Sequence, residues 1–123
     1  AHKGWATSVV WDKQGLWSLG TDANLSRWDP LTGRAITTLK MAAKEPNRLL
    51  ANESYFVVIG SKHKVIVLNR ETKEVINSLD LSQRPFVSAT LSEKSIWLGY
   101  RQGGVSSWDV TNGQEGATLP TKF

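Results

Sequence analysis

The residues equipped for chemistry are few and widely spaced. His2, Ser18 and Asp22 supply the side-chain types of a nucleophilic relay. One common form of such a relay sets its serine on a sharp, exposed strand-to-helix elbow. Ser18 stands instead inside the run Leu16–Gly20, which reads as a strand, so its expected role is structural. His63 is the other histidine, neither histidine has a carboxylate at ligand spacing, and cysteine is absent. That composition argues against a metal centre, a thiol nucleophile and a disulfide scaffold. The pair Gly103-Gly104 belongs to no phosphate-cradling loop and reads as a hairpin turn with positive φ. Each acidic residue falls at a turn or exposed edge, so no carboxylate pair is placed for glycoside hydrolysis. The sequence reads as a non-enzymatic protein with no cofactor and no metal.

The elements that carry these residues follow from a repeat. Shifting the chain against itself by 40 residues aligns Trp28 with Leu68 and Trp108, and Asp29 with Asn69 and Asp109. Thr32-Gly33 falls on Thr72-Lys73 and Asn112-Gly113, and Leu39 on Leu79 and Leu119. Upstream, Leu16-Trp17 falls on Phe56-Val57 and Ile96-Trp97, each run ending at a glycine: Gly20, Gly60 or Gly99. Three units result, at about 1–40, 41–80 and 81–123. Each reads as four short strands, with β-branched and aromatic residues between turn signals every eight to ten positions. The first three strands of each unit are apolar and the fourth is mixed, which predicts a gradient from buried to exposed. Only Lys40 to Glu45 reads as helical, and Pro46 ends it. The fold class is all-β, in three four-stranded antiparallel sheets.

Composition bounds the rest. The 123 residues hold 15 Lys and Arg against 11 Asp and Glu, a net charge of +4. The excess spreads as +2, +1 and +1 over the three units, so most of it reads as a solvated mixed-charge surface, with Lys62-His63-Lys64 the one dense basic spot. No run approaches the roughly 20 apolar residues of a membrane span, and no basic-then-apolar leader opens the chain. With cysteine absent, this fits an intracellular protein, cytoplasmic or nuclear. Trp11, Trp17, Trp28, Trp97 and Trp108 sit at strand positions of the repeat and read as core. Trp5 and Tyr100 fall in expected loops and are candidate contact residues.

The first unit resembles the WD40 repeat family of β-propellers. His2, Val9-Val10-Trp11-Asp12, Gly15, Ser18, Gly20, Asp22, Leu25, Trp28-Asp29 and Thr32-Gly33 follow that family's pattern in order. The second unit closes on Leu68-Asn69 instead of Trp-Asp, and the third regains Trp108-Asp109 without a matching histidine. Quinoprotein-like propellers share the Asp-x-x-Thr-Gly turn, which leaves the subfamily open. The resemblance implies that His2, Ser18, Asp22 and Trp28 form a hydrogen-bonded structural tetrad in the first blade alone. It also implies a rigid scaffold for protein–protein recognition in a multiprotein complex.

The working surface expected from the resemblance is the rim of inter-blade links and strand 2–3 loops, with Trp5, Arg48, Lys62, His63, Arg84, Tyr100 and Arg101 as its contact residues. Its basic groups would favour acidic or phosphorylated peptides. RNA binding in an RNA-processing assembly is the alternative, and carbohydrate binding a further one. Three blades fall short of the four to eight that close a propeller ring. Completion is therefore expected, from the rest of a larger propeller or from a second copy, and the chain ends favour the former.

Overall fold

A computed structural model describes residues 6–13, 15–41, 46–82, 85–101 and 103–119. Among the described residues, twelve strands run in sequence order through three four-stranded sheets. The first sheet holds β1 (Ala6–Asp12), β2 (Gly15–Gly20), β3 (Asn24–Trp28) and β4 (Ala35–Lys40). The second holds β5 (Arg48–Ala51), β6 (Tyr55–Ile59), β7 (Lys64–Asn69) and β8 (Val75–Asp80). The third holds β9 (Phe86–Ser92), β10 (Ser95–Tyr100), β11 (Val105–Asp109) and β12 (Glu115–Leu119). Each sheet is a plain meander, neighbours in sequence pairing side by side. Lys40, expected to open a helix, closes β4 instead, and residues 42–45 of that expected helix lie outside the described residues.

The turn from third to fourth strand shows what the Trp-Asp motif does. The Asp29 carboxylate accepts the Leu31 N–H at 2.9 Å, and the Asn69 side-chain oxygen accepts Glu71 and Thr72 N–H at 2.9 and 3.1 Å. The Asp109 carboxylate does the same for Thr111 and Asn112. The backbone then closes identically three times, with Gly33, Lys73 and Gly113 N–H donating to the carbonyls of Asp29, Asn69 and Asp109 at 2.8–2.9 Å. The donating residue has φ of 74°, 65° and 70° respectively, the left-handed region where glycine carries no steric cost. An acceptor oxygen three bonds from Cα is what the turn needs, so Asn69 serves where the other repeats have Asp.

Two compact units are distinguished, one of residues 1–49 and 58–61 and the other of 50–57 and 62–123, the division running through β5 and β6. In the first unit, register places Trp17, Leu19, Leu25 and Arg27 on one face of the first sheet. Trp17, Leu19 and Leu25 are buried there, each contributing about 1.5–3 kcal/mol relative to exposure. The Ser8 hydroxyl joins this layer to β5, accepting the Leu49 N–H at 3.0 Å. The opposite face carries Val9, Trp11, Leu16, Ser18, Ser26 and Trp28. Here the core assignment of Trp11 is corrected: it is 67% exposed, beside Val9 at 64%. β1 is an edge strand, and these two side chains stay largely open to solvent.

In the second unit Phe56, Val57, Val65, Val67, Leu68, Ile96, Leu98 and Val110 are buried. Arg70 is buried with them at 2% exposure. Its Nη1 donates to the Asn52 carbonyl at 2.8 Å, and its guanidinium lies 4.6 Å from the Phe56 ring centroid. Arg70 and Val110 occupy the same repeat position and make the same backbone bond, to Ser54 and Lys94 carbonyls, at 2.9 Å. Pro30 stands there in the first repeat and has no N–H to give.

The expected gradient of exposure is also corrected. Burial concentrates in the second and third strands of each sheet, while β1 and β9 alternate exposed and partly covered residues. The first strand is an edge of the meander, just as the fourth is, and lacks a flanking strand on one side.

Candidate interaction surface

Of the residues picked out by sequence, the loops between second and third strands hold Lys62, His63 and Arg101. In the second blade, Lys62 and His63 both adopt φ of 58° within the short turn Ser61–His63. That left-handed pair turns the chain sharply, leaving Lys62 exposed. The His63 ring packs edge-on against Phe86, centroids 4.9 Å apart, and its carbonyl accepts the Leu81 N–H at 3.1 Å. His63 thereby ties its loop to the link leading into the third blade.

The equivalent loop of the third blade holds Arg101, which is exposed. Gly103 and Gly104 have φ of 95° and 90°, and Gly103 N–H closes the turn on the Tyr100 carbonyl at 3.0 Å. Tyr100 is half-buried, and its hydroxyl is hydrogen-bonded to the Ser106 hydroxyl and lies 3.4 Å from the Trp108 indole nitrogen. Its aromatic body thus belongs largely to the blade. Arg48 opens β5 and is half-buried. Trp5 and Arg84 lie outside the described residues.

Three members of the expected tetrad are described, and His2 lies outside the described residues. The Trp28 indole donates to the Ser18 hydroxyl at 2.8 Å, satisfying a half-buried N–H. The Asp22 carboxylate accepts the Asn24 backbone and side-chain N–H groups at 3.1 and 3.2 Å. In the third blade Trp108 donates to Ser106 at 3.2 Å. The hydroxyl partner has therefore moved from the second strand to the third, with Tyr100 joining it. Register permits the exchange, because Leu98 faces Ser106 as Ser18 faces Ser26.

Two carboxylates are tuned by turn geometry. Asp109 is held below its ordinary value by the Thr111 hydroxyl first, then by the Thr111 and Asn112 backbone N–H groups and the Lys94 charge. Asp80 is lowered in the same way, by Ser82 and more weakly by Lys64. Among the described residues, no three His, Cys, Asp or Glu side chains gather as a metal would require. No described helix is long and apolar enough to cross a membrane.

One further feature escaped the sequence reading. A cleft of about 580 Å³ opens at the opposite rim of the second unit, where the β5–β6 and β9–β10 hairpins meet. Its lining includes Asn52, Glu53, Tyr55, Glu93, Lys94 and Trp97.

No family model matches the chain, and no curated protein matches it by sequence. Solved structures do. The computationally designed Ika4 protein is similar at a TM-score of 0.75 and 22% identity, over 97% of this chain and 74% of that one. The WD40 repeats of RRP9 give 0.76 at 12% identity, over 98% of this chain and 40% of that one. BamB from Moraxella catarrhalis gives 0.67 at 20% identity, over 93% of this chain and 34% of that one. This chain thus spans well under half the length of the latter two. Three consecutive meanders and these likenesses establish the fold: the chain is built as WD40-like β-propeller blades, three in number and fewer than a closed ring requires.

Proposed function

We propose that the chain is a non-enzymatic scaffold segment that recognises an acidic or phosphorylated protein segment through its strand 2–3 rim. The observation that carries this reading is the placement of Lys62 and Arg101, exposed on the equivalent loops of two successive blades. His63 and Tyr100 adjoin them in sequence, and Arg48, Trp5 and Arg84 are assigned to the same proposed rim. Arginine suits the role because its planar fork meets carboxylate and phosphate oxygens two at a time.

The same proposal includes completion of the ring by another chain or a second copy, supported by the apolar pair Val9 and Trp11 exposed on one face of β1. The decisive experiment titrates a labelled phosphoserine peptide into the chain and into the Lys62→Ala/Arg101→Ala variant, at two salt concentrations. Loss of about tenfold or more in the variant, with a mild salt slope, is expected. An unchanged affinity defeats the rim. Binding of single-stranded RNA with a slope of roughly 0.7 log units per log salt for each phosphate contact would favour the RNA alternative. Solution mass tests completion: self-association to twice 13.6 kDa that Trp11→Ser abolishes supports the second copy.

A further inference from the structure

The cleft at the opposite rim differs from the rest of the molecule in charge and in lining. The chain as a whole is basic at +4, yet the cleft presents two carboxylates, Glu53 and Glu93, against one ammonium, Lys94. The Lys94 charge acts on Asp109. Neither glutamate forms an ion pair among the described residues. Tyr55 and Trp97 add aromatic surface, and the volume lies within the 300–1,000 Å³ range of small-ligand sites.

The walls are also fixed in advance. Asn52 is the junction: its Nδ2 donates across the cleft to the Glu93 carbonyl at 2.8 Å, while its Oδ1 accepts the Ser54 and Tyr55 N–H groups at 2.9 Å. Behind it, Arg70 holds the Asn52 and Ser54 carbonyls, and Val110 N–H holds that of Lys94. Glu93 itself has φ of 51°, a conformation a glutamate keeps only where its surroundings impose it. A site with ordered walls spends little binding energy on ordering them.

We infer that this cleft receives an arginine side chain of a partner peptide, with Glu53 and Glu93 meeting the guanidinium and Tyr55 or Trp97 offering a ring to its face. Carboxylate pairs and aromatic faces are the two surfaces a planar guanidinium matches. This site is separate from the basic rim and complementary to it in charge, so either can fail without the other.

The test follows backbone amide shifts of the 123-residue chain on titration with N-acetyl-arginine amide. Saturable shifts are expected at residues 52–55 and 92–95. The uncharged isostere N-acetyl-citrulline amide should leave those amides unmoved. Glu53→Gln/Glu93→Gln should weaken the arginine probe about tenfold, and Lys94→Glu should tighten it. Both variants alter exposed side chains, and their circular dichroism should match the parent. Equal response to citrulline, indifference to both variants, or shifts confined to other loops would each overturn the assignment. So would maltose moving residues 52–55 and 92–95 where the arginine probe does not, which would assign the cleft to sugars.

Discussion

Replacing Arg70 by Val, the residue at the equivalent position of the third blade, isolates what a buried guanidinium does for this fold. The variant removes the 2.8 Å bond to the Asn52 carbonyl and the placement 4.6 Å over Phe56. A hydrogen bond from a charged donor contributes about 1.5–3 kcal/mol, and a desolvated cation–π contact about 2 kcal/mol. Against this, taking a charge out of water costs several kcal/mol, which valine would recover. The recovery is incomplete, because the carbonyl of half-buried Asn52 loses its charged partner and valine does not fill the arginine volume. A net loss of about 2 kcal/mol is expected, lowering Tm by roughly 6–10 °C. Urea unfolding followed by circular dichroism measures it, provided the slope is unchanged. A double-mutant cycle with Phe56→Leu should then return a coupling of about 2 kcal/mol, the value assigned to the contact. A variant as stable as the parent, or more so, would refute the reasoning and show that desolvation dominates at this site.

Other perturbations read other parts of the structure. A Cβ at Gly33 would meet nothing within 4 Å, whereas one at Gly113 would lie 2.8 Å from Leu79 and 2.9 Å from Asn77. Both have left-handed φ, so Gly33→Ala should cost about 1 kcal/mol and Gly113→Ala distinctly more, by thermal unfolding; equal losses would discount the contact. Asp109 is depressed chiefly by Thr111, so its contribution to stability is full above the ordinary value of 3.8 and fades as pH falls through the lower folded value. Thr111→Val should raise the pH at which the Asp109 carboxyl carbon titrates, and an unchanged midpoint would remove the hydroxyl as the main cause.

Much of this was legible in the sequence because it is local. Asp29, Asn69 and Asp109 mark three copies of one turn, and the four-strand period follows from what lies between them. Burial was less legible, because alternation assigns residues to faces without saying which face another sheet covers. Trp11 and Trp17 are both strand tryptophans, but only Trp17 lies on the covered face. Tyr100, a loop residue by its sequence neighbours, closes β10, and nothing in the sequence shows that its hydroxyl reaches Ser106 on β11. Arg70 escaped notice because arginine is rarely buried. The repeat carried a faint signal, since its equivalents are Pro30 and Val110, neither of them charged. The cleft was missed because its residues come from hairpins 40 positions apart.

The proline at that position has a consequence for how the molecule comes apart. In the second and third repeats the turn from third to fourth strand is latched to the neighbouring hairpin by a backbone bond, from Arg70 to Ser54 and from Val110 to Lys94. Pro30 leaves the first repeat without that latch. Local opening events start where backbone bonds are fewest. Native-state hydrogen exchange should therefore find the β3–β4 hairpin opening ahead of its two counterparts, giving three meanders of one topology an order of release set by one missing hydrogen.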